Sequence, residues 1–309
     1  MILCVCLSPA VDLTYRVDQL VVGSTNRVGT VSSRPGGKAV NVARILRQLG
    51  EPVEVLLPLG GPGGGDLARG LADLGVPTSA VHSGAPTRRT VTVVDETSGC
   101  VTVLVEPAEI DCWPELLGAF SAALVSARVV VISGVVPSGV PKDAMSTLVE
   151  LAKAAEVPVV VDTSGPALLD ALSAGPTVVK PNAEELALAS PIGEPVAAAR
   201  ELSEMHGTVV VASLGPDGVI AAASGRVWAA TPATVLEGNA TGAGDAVVAG
   251  LARALRVDPV ATDLRETLRD CVGLASAAVL SPVAGEVDLE VYAAQREGVL
   301  VRDLGGVAG

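Results

Sequence analysis

Short runs dominated by valine, leucine and isoleucine recur along this chain at residues 2–7, 53–59, 129–133, 158–162, 177–180, 208–213 and 219–223. Segments with apolar residues at helical spacing separate most of them: 39–49, 66–74, 142–155 and 194–205. Two further helical segments, 243–255 and 264–280, follow with no strand between them. Strands that alternate with helices are covered on both faces, so the pattern predicts an α/β fold around a largely parallel, doubly wound sheet. Composition agrees. Hydrophobic residues make up 49% of the 309 but aromatics only 2%, so the core has to be built from Val, Leu, Ala and Ile, the palette of strands buried on both faces. The length allows one large domain or two smaller ones.

Two stretches break the rhythm. Residues 11–33 and 88–106 alternate like strands with no helix between them. Thr90-Val91-Thr92-Val93-Val94 and Val101-Thr102-Val103-Leu104-Val105 flank the turn Asp95-Glu96-Thr97-Ser98-Gly99, which reads as a hairpin. Such strands do not fit a βαβ core. They form either a small separate sheet, a lid over the end of the main one, or an extension of its edge. The glycine cluster 60–65 reads as a loop.

Lys and Arg number 21 against 34 Asp and Glu, a net charge of -13. With no strongly basic stretch, a nucleic-acid footprint is excluded. The five cysteines form no C-x-x-C pair and their number is odd, which points to small reduced core residues. No apolar run reaches the roughly 18–20 residues that span a bilayer. A soluble, cytoplasmic protein without membrane or nucleic-acid partners is expected.

Chemistry concentrates at two glycine-rich helix starts. In Gly238-Asn239-Ala240-Thr241-Gly242-Ala243-Gly244-Asp245, small residues let a phosphate approach the free N–H groups and the positive end of the helix dipole. Thr241 can cap this helix. Asp245 falls in its first turn, either as a stabilising acid or as a base that accepts a proton from an attacking hydroxyl. The second start is Pro35-Gly36-Gly37-Lys38-Ala39-Val40-Asn41. Gly36 and Gly37 permit a tight turn close to a ligand, and Lys38 and Asn41, one helical turn apart, can face it together. This is not a Walker A loop, and no dinucleotide G-x-G-x-x-G occurs in the chain. Asn182 and Glu185, after Lys180-Pro181, can order water around Mg²⁺ or form a plain capping box. Arg88 and Arg89 open a lid-like strand and are candidates for an anionic group on the substrate.

These segments are collinear with, and resemble, the ribokinase-like (phosphofructokinase B) sugar kinases, in the branch that contains 1-phosphofructokinase and tagatose-6-phosphate kinase. Leu7-Ser8-Pro9-Ala10-Val11-Asp12 is similar to that branch's L-N-P-A-x-D. The run from Gly36 to Arg44 resembles G-G-K-G-x-N-V-A-R. Thr87-Arg88, Asp162-Thr163-Ser164-Gly165, Lys180-Pro181-Asn182 and Gly242-Ala243-Gly244-Asp245 match its T-R, D-T-S-G, K-P-N and G-A-G-D. The resemblance implies a three-layer α/β/α core, a single domain over 1–309, and a small β lid used for a homodimer. It implies that Asp245 deprotonates the acceptor hydroxyl while Gly242, Ala243 and Gly244 bind charge on the transferred phosphoryl group, a reaction that needs mainly positioning and charge neutralisation. Asp12, Gly36, Gly37 and Asn41 would hold the sugar, and Lys38 and Arg88 the phosphate already on it. Lys180, Asn182, Ser213 and Gly215 would line the ATP site, with Asn182 and Glu185 serving Mg²⁺.

Two departures fall on the substrate side. The family's S-G-S-L-P-P-G is Ser133-Gly134-Val135-Val136-Pro137-Ser138-Gly139 here, and its T-R-I-N is Thr87-Arg88-Arg89-Thr90. The expected reaction is ATP-dependent phosphorylation of a phosphorylated ketohexose, first fructose 1-phosphate, with tagatose 6-phosphate and fructose 6-phosphate as rivals. A non-catalytic sugar-phosphate sensor is the alternative of another class.

Overall fold

The computed structural model describes residues 1–259 and 264–306. Its strands in chain order are β1 (Ile2–Val5), β2 (Ala10–Val17), β3 (Thr30–Gly36), β4 (Val53–Leu59), β5 (Thr78–His82), β6 (Arg88–Asp95) and β7 (Val101–Val105). They continue with β8 (Val129–Ser133), β9 (Val159–Asp162), β10 (Val178–Val179), β11 (Val209–Ser213), β12 (Val219–Ala223), β13 (Arg226–Thr231) and β14 (Leu300–Gly306). The helices are α1 (Lys38–Gln48), α2 (Gly61–Asp73), α3 (Trp113–Leu124), α4 (Ala144–Ala154) and α5 (Pro166–Ser173). After them come α6 (Ala183–Ala189), α7 (Pro195–His206), α8 (Ala243–Val257), α9 (Leu264–Val279) and α10 (Leu289–Gly298).

Among the described residues the main sheet has ten strands in the order β14-β13-β12-β11-β10-β9-β8-β1-β4-β5. From β5 to β11 all neighbours are parallel; β12, β13 and β14 are antiparallel. Successive residues of each parallel strand serve opposite layers. Ile2, Cys4, Val129 and Val131 pack with α1, α2, α8 and α9, whereas Leu3, Val5, Val130 and Ile132 pack with α3, α4, α5 and α7. The period of two, with apolar residues at every position, produces the three layers. From β1 the chain winds first to β4 and β5, then returns to β8 on the other side. The switch point between β1 and β8 opens a crevice at their carboxyl ends, where open α/β sheets bind ligands.

The irregular stretches form a separate four-stranded sheet, ordered β3-β2-β6-β7, with β2 and β6 parallel and the other pairs antiparallel. It is a lid and not an edge extension. Val31, Val101, Val103, Leu104 and Val105 of this sheet are each more than half exposed.

The structure corrects two local expectations. Residues 61–65 are no loop but the first turn of α2, with Pro62 at its start, where a proline's missing N–H costs nothing. Gly63 and Gly64 are there for closeness: a Cβ at either would stand 3.0–3.1 Å from Thr87 O or Leu59 C. Helices α3, α5, α6 and α10 are additions to the expected set, as are strands β5, β13 and β14. Cys4, Cys6, Cys112 and Cys271 are free and buried, whereas Cys100 is free but exposed and so no core residue, and burial pushes the Cys6 thiol up to about 12. Among the described residues no helix is long and apolar enough to cross a membrane.

Candidate active site

The carboxyl ends of β1, β8, β9, β10 and β11 face the starts of α1 and α8. Helix α8 begins after Gly242, whose φ of 93° lies in the left-handed region that favours glycine. A Cβ on Gly242 would stand 3.0 Å from Cα and Cβ of Ala284, and one on Gly244 3.5 Å from Lys180 Nζ. Thr241 does not cap the helix; no side chain does. Ala243 N donates to Ala240 O at 3.2 Å and Ala246 N to Gly242 O at 3.0 Å, so the N–H groups of Gly244 and Asp245 between them are the ones left for another acceptor.

Asp245 does not cap either. It is 7% exposed, and its Oδ2 accepts from Asn41 Nδ2 at 2.9 Å, joining the two glycine-rich helix starts. Burial first, then the charge of Asp162, pushes its carboxyl up to about 7, although Asn41, Lys38 and Lys180 pull the other way. An acid so tuned can take up a proton near neutrality.

Asp162, at the end of β9 and 1% exposed, ties the neighbouring groups together. Its Oδ2 accepts from Ser133 Oγ at 2.8 Å, on the adjacent strand β8. Lys180 Nζ lies 3.2 Å from Oδ1 and Lys38 Nζ 3.5 Å from Oδ2. Burial raises the carboxyl, but Lys180 and Lys38 outweigh it and hold Asp162 below the usual range. Lys38 is opposed by its own burial and supported by Asp162, Asp245 and Glu185, which together raise it.

On the lid side, Asp12 of β2 lies against Gly36, where a Cβ would come within 2.0 Å of its carboxylate. Gly36 is thus needed to make room for Asp12. Burial raises the Asp12 carboxyl against a hydrogen bond from Thr90 and the charges of Arg88 and Arg44. Thr90, where the sequence departs from the family pattern, therefore orients Asp12. Arg88 donates to Glu106 O at 3.2 Å and Ser8 O at 3.3 Å, while its buried Nε has no partner. Arg89 is exposed, as strand alternation requires, and Val135 is 55% exposed. Gly37, with φ 108°, packs where a Cβ would meet Cys6 Sγ at 2.9 Å.

Asn182 and Glu185 form a complete capping box: Oδ1 accepts from Glu185 N and Oε2 from Asn182 N, both at 2.8 Å. Ser213 bridges to Asn182 at the end of β11, and Gly215 opens the turn beyond it with φ 61°. The structure thus gathers Lys38, Lys180 and Ser133 around Asp162, sets the Asn41–Asp245 pair within reach of its charge, and groups Asp12 with Gly36 and Arg88 at the lid. Lys38 and Arg88, paired in the sequence reading, have different partners. Sequence reasoning gave no role to Asp162, Ser133 or Arg44; all three stand inside motifs already quoted, which was the available signal.

Comparison with known proteins places this geometry. Residues 1–290 match the family model described as pfkB family carbohydrate kinase. The chain belongs to the pfkB family of carbohydrate kinases. A 1-phosphofructokinase of Xanthomonas campestris pv. campestris is 34% identical over 277 residues, 86% of each chain. Phosphofructokinase-2 from Escherichia coli, solved in a tetrameric inhibited form, superposes with TM-score 0.89 at 29% identity over 96% of this chain and 98% of that one. A possible 1-phosphofructokinase from Thermotoga maritima gives TM-score 0.86 at 26% identity over 99% and 100%. This pfkB member is a sugar kinase of the phosphofructokinase type, and a kinase of this family takes its phosphoryl group from ATP.

Proposed function

We propose that this kinase transfers the γ-phosphoryl group of ATP to fructose 1-phosphate, forming fructose 1,6-bisphosphate and ADP. Asp245 accepts the proton of the sugar hydroxyl as its oxygen bonds to phosphorus and the bond to ADP breaks. The observation that carries this reading is the state of Asp245: buried, bonded to Asn41, raised to about 7, and in the first turn of a helix that no side chain caps. The turn Gly242-Ala243-Gly244 binds the transferred charge through the N–H groups not already given to Ala240 O, and preorganised donors of this kind supply much of the catalysis in acyl and phosphoryl transfer. Asp12, Gly36, Gly37 and Asn41 hold the sugar. Arg88, with its free buried Nε, meets the substrate's own phosphate, and Lys38 serves the same anionic path from the Asp162 side. Lys180, Asn182, Ser213 and Gly215 line the nucleotide.

Mg²⁺ fits the residues present in one way. Among the described residues no three acidic, histidine or cysteine side chains gather into a metal cage, and Asn182 Oδ1 and Glu185 Oε2 are engaged in the capping box. Glu185 keeps its second oxygen for water on an ion carried mainly by substrate phosphates, the usual habit of Mg²⁺. When bound, the ion would neutralise charge on those phosphates.

Fructose 6-phosphate is the second reading, because phosphofructokinase-2 from Escherichia coli, solved with that sugar, is 30% identical with TM-score 0.87 over 95% of this chain and 98% of that one. ADP release measured side by side with fructose 1-phosphate, fructose 6-phosphate and tagatose 6-phosphate decides between them. The highest kcat/KM is expected with the first. Binding of a phosphosugar without ADP release from any would leave a sensor instead. The exposed valines of β7 are the surface for a homodimer through the lid; sedimentation of Val103→Lys should show a lighter particle than the parent.

A further inference from the structure

Residues 281–287 run from the end of α9 to α10 and lie directly behind the Gly242 turn, in contact through Ala284. One face of α1 holds this strap. Arg44, only 5% exposed, donates through Nη1 to Ala284 O at 3.0 Å and through Nη2 to Glu286 Oε1 at 2.8 Å. Gln48, one turn on, donates to Gly285 O at 2.9 Å and accepts from Val287 N at 3.1 Å. Asn41, the partner of Asp245, packs against the same strap: a Cβ on Gly285 would stand 3.0 Å from both Asn41 Oδ1 and Arg44 Nη1. The series 41, 44, 48 lies on one side of the helix, so the helix that holds Asp245 also holds the support of the turn before it.

A second arginine reaches the strap from the lid. Arg34 of β3 donates to Glu286 Oε1 at 2.5 Å, the oxygen that Arg44 uses. Arg34 is the cross-strand partner of Asp12. One carboxylate oxygen therefore joins the lid strand beside the sugar site to the support of the phosphoryl site.

We propose that Arg44 and Glu286 are positioning residues for the Gly242–Gly244 anion hole, and that the oxygen shared with Arg34 couples it to the lid. The second half rests on Asp12 lying at the sugar site. A sugar that settles the lid at Asp12 also settles Arg34, hence Glu286, the strap and the turn. Such linkage is reciprocal: nucleotide and sugar phosphate strengthen each other's binding by the same factor.

Amide hydrogen exchange on the unliganded protein tests the support. Arg34 and Glu286 are both partly exposed, so Gln at either position preserves the fold, which a melting curve checks. Glu286→Gln should speed exchange at 241–246 and 284–287 about fivefold or more, with β8 and β9 unchanged. Arg34→Gln should speed the same amides in the same direction. Acceleration confined to the lid in Arg34→Gln, or unchanged rates at 241–246 in Glu286→Gln, overturns the proposal. Calorimetry then tests the coupling. ADP should bind the parent about fivefold or more tightly once fructose 1-phosphate is present, the lower end of usual allosteric factors. In Arg34→Gln, in Glu286→Gln and in the double variant alike, that factor should fall towards one while each ligand alone still binds. A parent factor of one, or a factor untouched by Arg34→Gln, refutes the coupling and leaves the kinase reading standing. If fructose 1-phosphate does not bind the parent, the substrate reading fails instead, and the exchange rates still decide the strap.

Discussion

Two helices begin at the proposed reaction centre, and their backbones begin alike. Helix α1 follows Gly37 at φ 108°, α8 follows Gly242 at φ 93°, and neither has a side-chain cap. Each turns the positive end of a dipole to the crevice, with the N–H groups of Ala39 and Val40 in α1 facing the Cys6 thiol and that of Ala243 in α8 given to Ala240 O. What stands in the first turn differs. In α1 it is Lys38 and Asn41, with no acid; in α8 it is Asp245. A helix start would normally stabilise a carboxylate as the anion. Asp245 is nonetheless raised to about 7, because burial and the charge of Asp162 outweigh the helix end and the donors around it. On the proposed reading the same backbone device is used once to hold charge and once to carry a base, and the proton affinity of Asp245 is set by its neighbours.

The largest expected effect falls on α8. Asp245→Asn keeps the shape and the bond to Asn41 within reach but removes the proposed base, so kcat should fall about 10²–10⁴-fold. A loss under tenfold in a stopped assay of ADP release would make Asp245 a structural acid, and the two helix starts would then differ in nothing that matters chemically.

Glycine replacements separate the two starts further. Gly242→Ala forces a Cβ against Ala284 and disturbs the turn, so kcat should drop by about 10²-fold, the scale for losing one preorganised donor. Gly37→Ala meets Cys6 Sγ and Pro9 and should act mainly on KM for the sugar. Equal effects of both on kcat would remove the division into a holding and a reacting helix.

A smaller effect lies in the pH profile. The base works deprotonated, so kcat/KM should fall as pH drops through about 7. The Asn41 amide favours the ionised carboxylate, so Asn41→Leu should move this acidic limb to higher pH. A limb that stays put, with only KM altered, would confine Asn41 to the sugar.

The layers and the lid were legible because they depend on local pattern: valine-rich runs such as 129–133 are buried on both faces, and 90–105 alternates without a helix. The glycine starts and Asp245 were legible too, since they are contiguous. The first turn of α2 was not, because Gly63 and Gly64 are set by the approach of Thr87 and Leu59, which lie elsewhere in the chain or behind the turn. Asp162 gains its role from Ser133, Lys38 and Lys180, each on a different element. Arg44 looks like one more helix arginine until the strap from 281 to 287 folds back over it. Thr241 has the right chemistry for a cap, but the left-handed Gly242 takes the position.

The smallest expected effect concerns stability, and there the two helix starts should differ in sign. The Asp245 carboxyl is raised in the folded chain from an ordinary 3.8 to about 7. Its ionisation therefore opposes folding: the cost is absent below about 4, grows across that window, and is complete above about 7. At pH 8 Asp245→Asn should melt a few degrees above the parent, on the scale of roughly 2–4 °C per kcal/mol for chains somewhat shorter than this one, and the gap should close near pH 4. Lys38 is raised by Asp162, Asp245 and Glu185, so its charge contributes stability that is fully present below its ordinary value and is lost only as pH rises through the raised one. Lys38→Met should accordingly lower the melting temperature at pH 8, by less because the lysine is 42% exposed and screened. If both variants shift the melt in the same direction at pH 8, the strain of holding an ionised base does not reside in Asp245.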